Sequence, residues 1–175
     1  MFMYDKLFGE YGHTVGQLLI TKSDVENDER RTNLVNTFNK LFEFVAIPVI
    51  NENESVSVEE IVYGDKDSLS AIVAKLVNAD ALIILTDIDG LYDANPNENE
   101  DAKLIPVVTE INEDLYAIAG GRGSTLGTGG MVTKLHAAEI TMGAGIDTIV
   151  MNGENPTEIY KALDGKQVGT FFKGK

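Results

Sequence analysis

Apolar residues recur along the 175-residue chain in two rhythms, one of strand length and one of helical spacing, and their alternation predicts the elements. Phe2, Leu7 and Phe8, with Gly12 as a stop, read as the end of a helix, and residues 14–21 read as a strand. Ser23 with Glu26 three residues later offers a capping box. The helix that follows carries Leu34, Val35, Phe38, Leu41 and Phe42 as one apolar stripe. The β-branched run at 45–50 contains Pro48 and stops at Asn51-Glu52-Asn53-Glu54; its composition is that of a parallel strand buried on both faces.

Alternation at 56–58 leads to a helix over 68–78, with Leu69, Ile72, Val73 and Leu76 on one side. A buried strand over 81–85 then ends in Thr86-Asp87-Ile88-Asp89-Gly90, whose Asp-Gly is a turn signal. An acidic, Asn-rich loop at 93–103 precedes a strand at 104–108, a short helix at 112–119, a helix at 131–142 and a strand at 146–151. Pro156 opens a last helix and residues 168–172 a last strand. Strand and helix alternate almost throughout, so the expected fold is α/β with a mainly parallel sheet.

Charge and composition narrow the function. Fourteen Lys and Arg against 28 Asp and Glu give a net charge of −14, which argues against nonspecific capture of nucleic acid or of an anionic membrane surface. No apolar run approaches the ~20 residues that span a bilayer, and the first residues lack a signal-peptide pattern. The chain has no cysteine, which excludes disulfides and thiolate chemistry and suits a reducing cytoplasm. With 43% apolar residues it reads as globular.

Three places carry candidate chemistry. The glycine-rich segment 120–130 fits neither Walker A, since Lys134 lies four residues beyond Gly130, nor the dinucleotide fingerprint, which fails at Leu126. Its glycines and the helix start at Gly130 still offer backbone N–H donors to an anion, and Lys134 lies one turn inside that helix. The alternative is a surface loop with an ordinary exposed lysine. Asn51 to Glu54 and Gly64-Asp65-Lys66-Asp67 lie where a strand ends and a helix begins, so they read either as a ligand-binding edge or as a helix cap. Thr86-Asp87 reads as a site or as a turn. His13 and His136 have no partners at metal-ligand spacing and read as surface residues, and Tyr63, Tyr92 and Tyr160 as packing residues.

In order, Ile50-Asn51-Glu52-Asn53-Glu54, Gly64-Asp65-Lys66-Asp67-Ser68-Leu69-Ser70-Ala71, Leu85-Thr86-Asp87-x-x-Gly90-Leu91-Tyr92 and Gly127-Thr128-Gly129-Gly130-Met131-x-Thr133-Lys134 resemble the glutamate 5-kinases of the amino acid kinase family. The resemblance implies a three-layer α/β/α sandwich and a kinase that uses ATP and Mg²⁺ to phosphorylate the γ-carboxylate of L-glutamate. It implies that Thr86 and Asp87 contact the nucleotide, and that Thr128, Gly129, Gly130, Met131, Val132, Thr133 and Lys134 embrace its phosphates. Lys134 would stabilise the transferring phosphoryl group and Asp67 would orient the catalytic lysines. Glu54, Asp65 and Lys66 match positions that hold glutamate; the family more often has aspartate and asparagine where Glu54 and Lys66 stand. No protein metal ligand is implied.

The family's early Lys-x-Gly-Ser strand and Ser-Ser-Gly-Ala turn do not occur in this sequence. Residues 1–175 are therefore expected to form the C-terminal, nucleotide-binding portion of an amino acid kinase domain, with no appended RNA-binding-like domain. The resemblance further implies a cytoplasmic enzyme that is homo-oligomeric in its full-length form. A noncatalytic nucleotide-binding or assembly module, acting with a separate N-terminal polypeptide, is the competing reading.

Overall fold

The structure, a computed structural model, describes residues 1–53, 55, 65–96, 98–120 and 130–175. The chain divides into two compact units, Met1–Gly64 and Asp65–Lys175.

The first unit runs α1 (Phe2–Gly9), β1 (Val15–Ile20), α2 (Lys22–Glu26), α3 (Asp28–Glu43) and β2 (Ile47–Glu52). β1 and β2 pair in parallel from Val15↔Ile47 to Ile20↔Glu52. Gly16 lets α3 approach the sheet, since a Cβ there would lie 2.9 Å from Leu41 Cδ2. Ile20, Phe38 and Ala46 are buried, and the Phe38 and Phe42 rings stack with centroids 6.3 Å apart.

Three expectations change in this unit. The cap is not Ser23 with Glu26. Thr21 precedes the helix instead, and the Asp24 carboxylate accepts from the Thr21 backbone N–H at 2.8 Å and its hydroxyl at 2.6 Å. The single expected helix also breaks at Asn27, whose backbone is extended (φ −81°, ψ 125°) and whose side chain accepts from Arg30 N–H to start α3. Asparagine competes well for that position because its short side chain can satisfy an orphan donor of the first turn. β2 is half-buried along most of its length rather than buried on both faces.

The second unit contains α4 (Lys66–Leu76), β3 (Ala81–Thr86), β4 (Val107–Val108), α5 (Glu113–Ile118), α6 (Met131–Gly143), β5 (Asp147–Asn152), α7 (Glu158–Leu163) and β6 (Thr170–Phe172). Its sheet has the order β3-β5-β6-β4. β3 and β5 run parallel from Ala81↔Asp147 to Thr86↔Asn152, β4 and β6 run parallel, and β5 and β6 antiparallel. The expected α/β class with parallel-dominated sheets is what forms.

Small residues bring the helices close: Ala71 on α4 and Ala137 and Ala138 on α6 are fully buried in a core with Ile84, Leu135, Met142, Val150 and Phe172. The buried hydroxyls of Thr141 on α6 and Thr148 on β5 lie 2.5 Å apart and join helix to sheet. Gly169 (φ +63°) is required at the entry to β6, where a Cβ would lie 2.1 Å from the Val150 carbonyl oxygen.

The strand expected at 104–108 shrinks to Val107–Val108, with Leu104 in an isolated antiparallel bridge to Tyr92, because Pro106 has no N–H for a ladder. Pro156 lies in the turn before α7 rather than opening it. Tyr160 is 71% exposed on α7 and packs no core. No helix among the described residues is long and apolar enough to cross a membrane.

Replacing Phe172 with alanine is expected to cost ~3–5 kcal/mol of unfolding free energy, as for other buried aromatics. Tyr160→Ala should stay within ~0.5 kcal/mol. Urea unfolding of the two variants measures both.

Candidate active site

The site grows from the packing of α4 against α6. Asp67 lies in the first turn of α4 and Lys134 in the first turn of α6. The alanine-lined contact between the helices brings the Lys134 ammonium to 3.1 Å from Asp67 Oδ2, with side chains only 7% and 14% exposed. The Thr133 hydroxyl lies 2.7 Å from the same carboxylate oxygen and 2.7 Å from the Gly130 carbonyl. It has one proton, and the charged carboxylate is the stronger acceptor. Lys134 is therefore not an ordinary exposed helix residue.

A lysine in the first turn opposes the helix dipole, whose positive end lies there. α6 is also the one helix among the described residues with no acidic side chain in its first turn. It begins at Gly130 in extended geometry (φ −72°, ψ 178°) with no side-chain cap. A helix start with no side-chain cap, a positive dipole end and a buried ammonium thus converge, with Asp67 on another helix as counter-charge. Such a locus receives an anion readily.

Asp65 behaves as a cap. Its backbone is extended, Oδ1 accepts from Ser68 N–H at 2.6 Å, and Oδ2 accepts from the Ser68 hydroxyl at 3.0 Å. A carboxylate has further lone pairs, so the cap does not use up its acceptor capacity. Lys66 opens α4 on the exposed side.

Thr86 and Asp87 lie at the carboxyl end of β3, level with the end of β5, where Gly153 N–H donates to the Thr86 carbonyl at 2.8 Å. The Thr86 hydroxyl donates to Asp87 at 3.1 Å, and Asp87 is exposed. Asn152 donates through Nδ2 to Asp89 Oδ1 at 2.9 Å, and the Tyr92 hydroxyl donates to Asp89 Oδ2 at 3.2 Å. Burial, then the Asp89 charge and this hydrogen bond, raise the Tyr92 phenol above its ordinary pKa. The same turn forms one wall of a cavity of about 460 Å³ whose lining includes Ile88, Leu91 and Tyr92, Ile118 of α5, and Met131 in the first turn of α6.

Of the residues singled out in the sequence, Asp67, Thr133 and Lys134 meet directly, with Gly130, Met131 and Val132 on the same helix start. Among the described residues, Thr86 and Asp87 make no bond to that cluster; the cavity joins the two regions through Leu91 and Met131. Glu54, Thr128 and Gly129 lie outside the described residues. The sequence reading missed Asn152 and Ile118. Position 152 carries a local signal, as a polar residue closing an apolar strand, whereas the second wall of the cavity comes from α5, which nothing in the sequence couples to β3.

Asp65→Ala is expected to destabilise the chain by ~0.5–2 kcal/mol, with Asp65→Asn recovering most of it, by thermal unfolding. Because the Tyr92 phenol is raised, its protonated, hydrogen-bonded form favours the folded state fully below the unfolded phenol pKa. That contribution is lost as pH rises through the folded value. An ultraviolet phenol titration of wild type and Tyr92→Phe should show the variant lacking a late-titrating tyrosine.

The model of the amino acid kinase family matches residues 1–152. A glutamate 5-kinase of Clostridium perfringens is 50% identical over the whole of this chain, and one of Clostridium acetobutylicum 52% identical over 98% of it. The chain spans 66% and 64% of those two proteins, about two-thirds of the length of the curated relatives it matches. Among solved structures, UMP kinase from Ureaplasma parvum superimposes with a TM-score of 0.62 at 17% identity, over 98% of this chain and 65% of that one. An isopentenyl phosphate kinase gives 0.60, also at 17% identity, over 98% of this chain and 64% of that one. These two share the fold. With the ordered motifs, the Asp67–Lys134 pair and a family match over residues 1–152, the chain belongs to the amino acid kinase family.

Proposed function

We propose that this chain is a glutamate 5-kinase polypeptide, its residues 1–175 forming one kinase domain portion. In the reaction, a γ-carboxylate oxygen of L-glutamate attacks the γ-phosphorus of Mg–ATP. The bond from that phosphorus to the β,γ-bridging oxygen breaks, giving glutamyl 5-phosphate and ADP, the first step of proline biosynthesis. The observation that carries the reading is the buried Lys134 ammonium, held by Asp67 at a helix start that has no acid of its own. About 50% identity to glutamate 5-kinases supports the choice of acceptor.

The division of labour follows from the chemistry. A carboxylate is already a nucleophile at neutral pH, so catalysis rests on positioning and charge neutralisation. Lys134 supplies positive charge to the transferring phosphoryl group, and Asp67 keeps the ammonium from turning away. Thr86, Asp87 and residues 128–134 hold the nucleotide, with the cavity beside Leu91 and Met131 suited to its nucleoside. Glu54, Asp65 and Lys66 hold glutamate. Among the described residues no group of three or more His, Cys, Asp or Glu clusters as a metal site. In this reading Mg²⁺ arrives as the ATP complex, ligated mainly by phosphate and water. The reading includes a cytoplasmic, homo-oligomeric enzyme.

A second reading is a nucleotide-binding module that acts with a separate polypeptide; the buried cation at the start of α6 supports nucleotide binding without assigning an acceptor. Calorimetry with Mg–ATP and an assay of glutamate-dependent ADP release separate the two. Turnover that requires both substrates, lowered ~10²–10³-fold in Lys134→Ala, supports the kinase. Binding without turnover supports the module, and no binding defeats both.

A further inference from the structure

We propose that Thr170, on the last strand of the chain, is a positioning residue for the nucleotide-binding turn; this rests on the kinase reading of the site above. Thr170 lies outside the stretch matched by the family model, 79 positions after Leu91, and has no accessible surface. Its hydroxyl both accepts and donates. The oxygen accepts from Leu91 N–H at 2.8 Å, and the proton goes to the Ile105 carbonyl at 2.7 Å. Leu91 and Ile105 are themselves joined, Ile105 N–H donating to the Leu91 carbonyl at 2.8 Å. One side chain on β6 therefore clamps both strands of the loop that leaves β3 and returns to β4.

The position it holds is the wall of the cavity. Leu91 is 1% exposed to solvent yet lines that cavity with Gly90 and Tyr92. Gly90 shows how close the approach is: at φ +154° its Cβ site lies 2.6 Å from the Thr170 oxygen and 2.9 Å from the Thr170 nitrogen, so no side chain fits. A hydroxyl at 170 satisfies a buried donor and a buried acceptor at once, whereas an isosteric methyl leaves both without a partner. The relief available to them is a shift of 90–92 towards solvent, and that shift deforms the cavity. Thr170 touches neither phosphate nor acceptor, so its effect falls on nucleotide affinity rather than on the transfer step.

The test uses the full chain as Thr170→Val, Thr170→Ser and Thr148→Val, the last removing a buried hydroxyl bond between α6 and β5 that does not border the cavity. Thermal unfolding first establishes that each variant is folded at the assay temperature. Mg–ATP affinity is then measured by calorimetry, and Leu91 amide exchange by NMR on the nucleotide-free chain. Thr170→Val should weaken Mg–ATP binding about tenfold and speed Leu91 exchange, while Thr170→Ser restores both to near wild type. Thr148→Val should lower the melting temperature with unchanged affinity. Where turnover is present, Thr170→Val should raise the KM for ATP with little change in kcat. Should Thr170→Val bind as wild type does, or lose no more affinity than Thr148→Val, Thr170 is structural only and the inference fails alone. If wild type binds no nucleotide, the kinase reading fails and takes this assignment with it. Should Thr170→Val not fold, Thr170→Ala replaces it in both measurements: weakened Mg–ATP binding and faster Leu91 exchange support the hydroxyl's role, and affinity unchanged as in Thr148→Val overturns it.

Discussion

Burying an ammonium removes hydration worth several kcal/mol, and a protein tolerates this only where an opposite charge and hydrogen bonds replace the water. Lys134 is tolerated because α4 and α6 start side by side. The two helices pack on a core that includes the fully buried Ala71, Ala137 and Ala138, and Asp67 reaches the lysine there. Thr133 adds a donor to the same carboxylate oxygen. The pair contributes little net stability for its cost, since buried ion pairs seldom outperform apolar replacements. Its value is positional: a cation is kept at a helix start, where the dipole already favours an anion, and cannot swing into solvent. The placement of Met131, the approach to the cavity and the charge of the site all follow from that constraint.

The surroundings are arranged around the same imbalance. The chain as a whole carries −14, which repels polyanions, yet the start of α6 has no acid and is countered from a neighbouring helix. A single anionic ligand can be accepted there without general affinity for nucleic acid or membrane surfaces. The turn after β3 depends on sheet register. Thr86 and Asn152 lie level in parallel strands, so Asp89 is held by Asn152 and Tyr92, the Thr86 carbonyl by Gly153 N–H, and Asp87 by the Thr86 hydroxyl. The antiparallel β6 then reaches under the loop with Thr170.

Most elements of the fold were legible because each has a local cause. The apolar stripe from Leu34 to Phe42, the short β-branched runs and the glycine before α6 report period and breakage directly. The errors share a different origin. Ser23 lost the cap to Thr21 and the helix broke at Asn27, since neighbouring residues of similar capping strength are separated by backbone geometry that no spacing encodes. Tyr160 was expected to pack but faces solvent, because an aromatic on a short helix buries only where another element covers it.

By itself the sequence determined the α/β class, the order of motifs and the chemical types available: no thiolate, no metal cluster by spacing, one lysine in a glycine-bounded helix start. Tertiary structure decided which of these meet. Asp67 and Lys134 are 67 positions apart and Leu91 and Thr170 are 79 apart. Asp65 and Asp67 divided into a cap and a counter-charge because Asp65 lies in extended backbone just before α4, where its carboxylate reaches Ser68 N–H, whereas Asp67 lies inside the first turn and meets Lys134 of α6. Periodicity and composition act over a few residues, whereas burial and ion pairing depend on which surfaces close together in space. That closure is set by small side chains and sheet register, and only the folded chain expresses it.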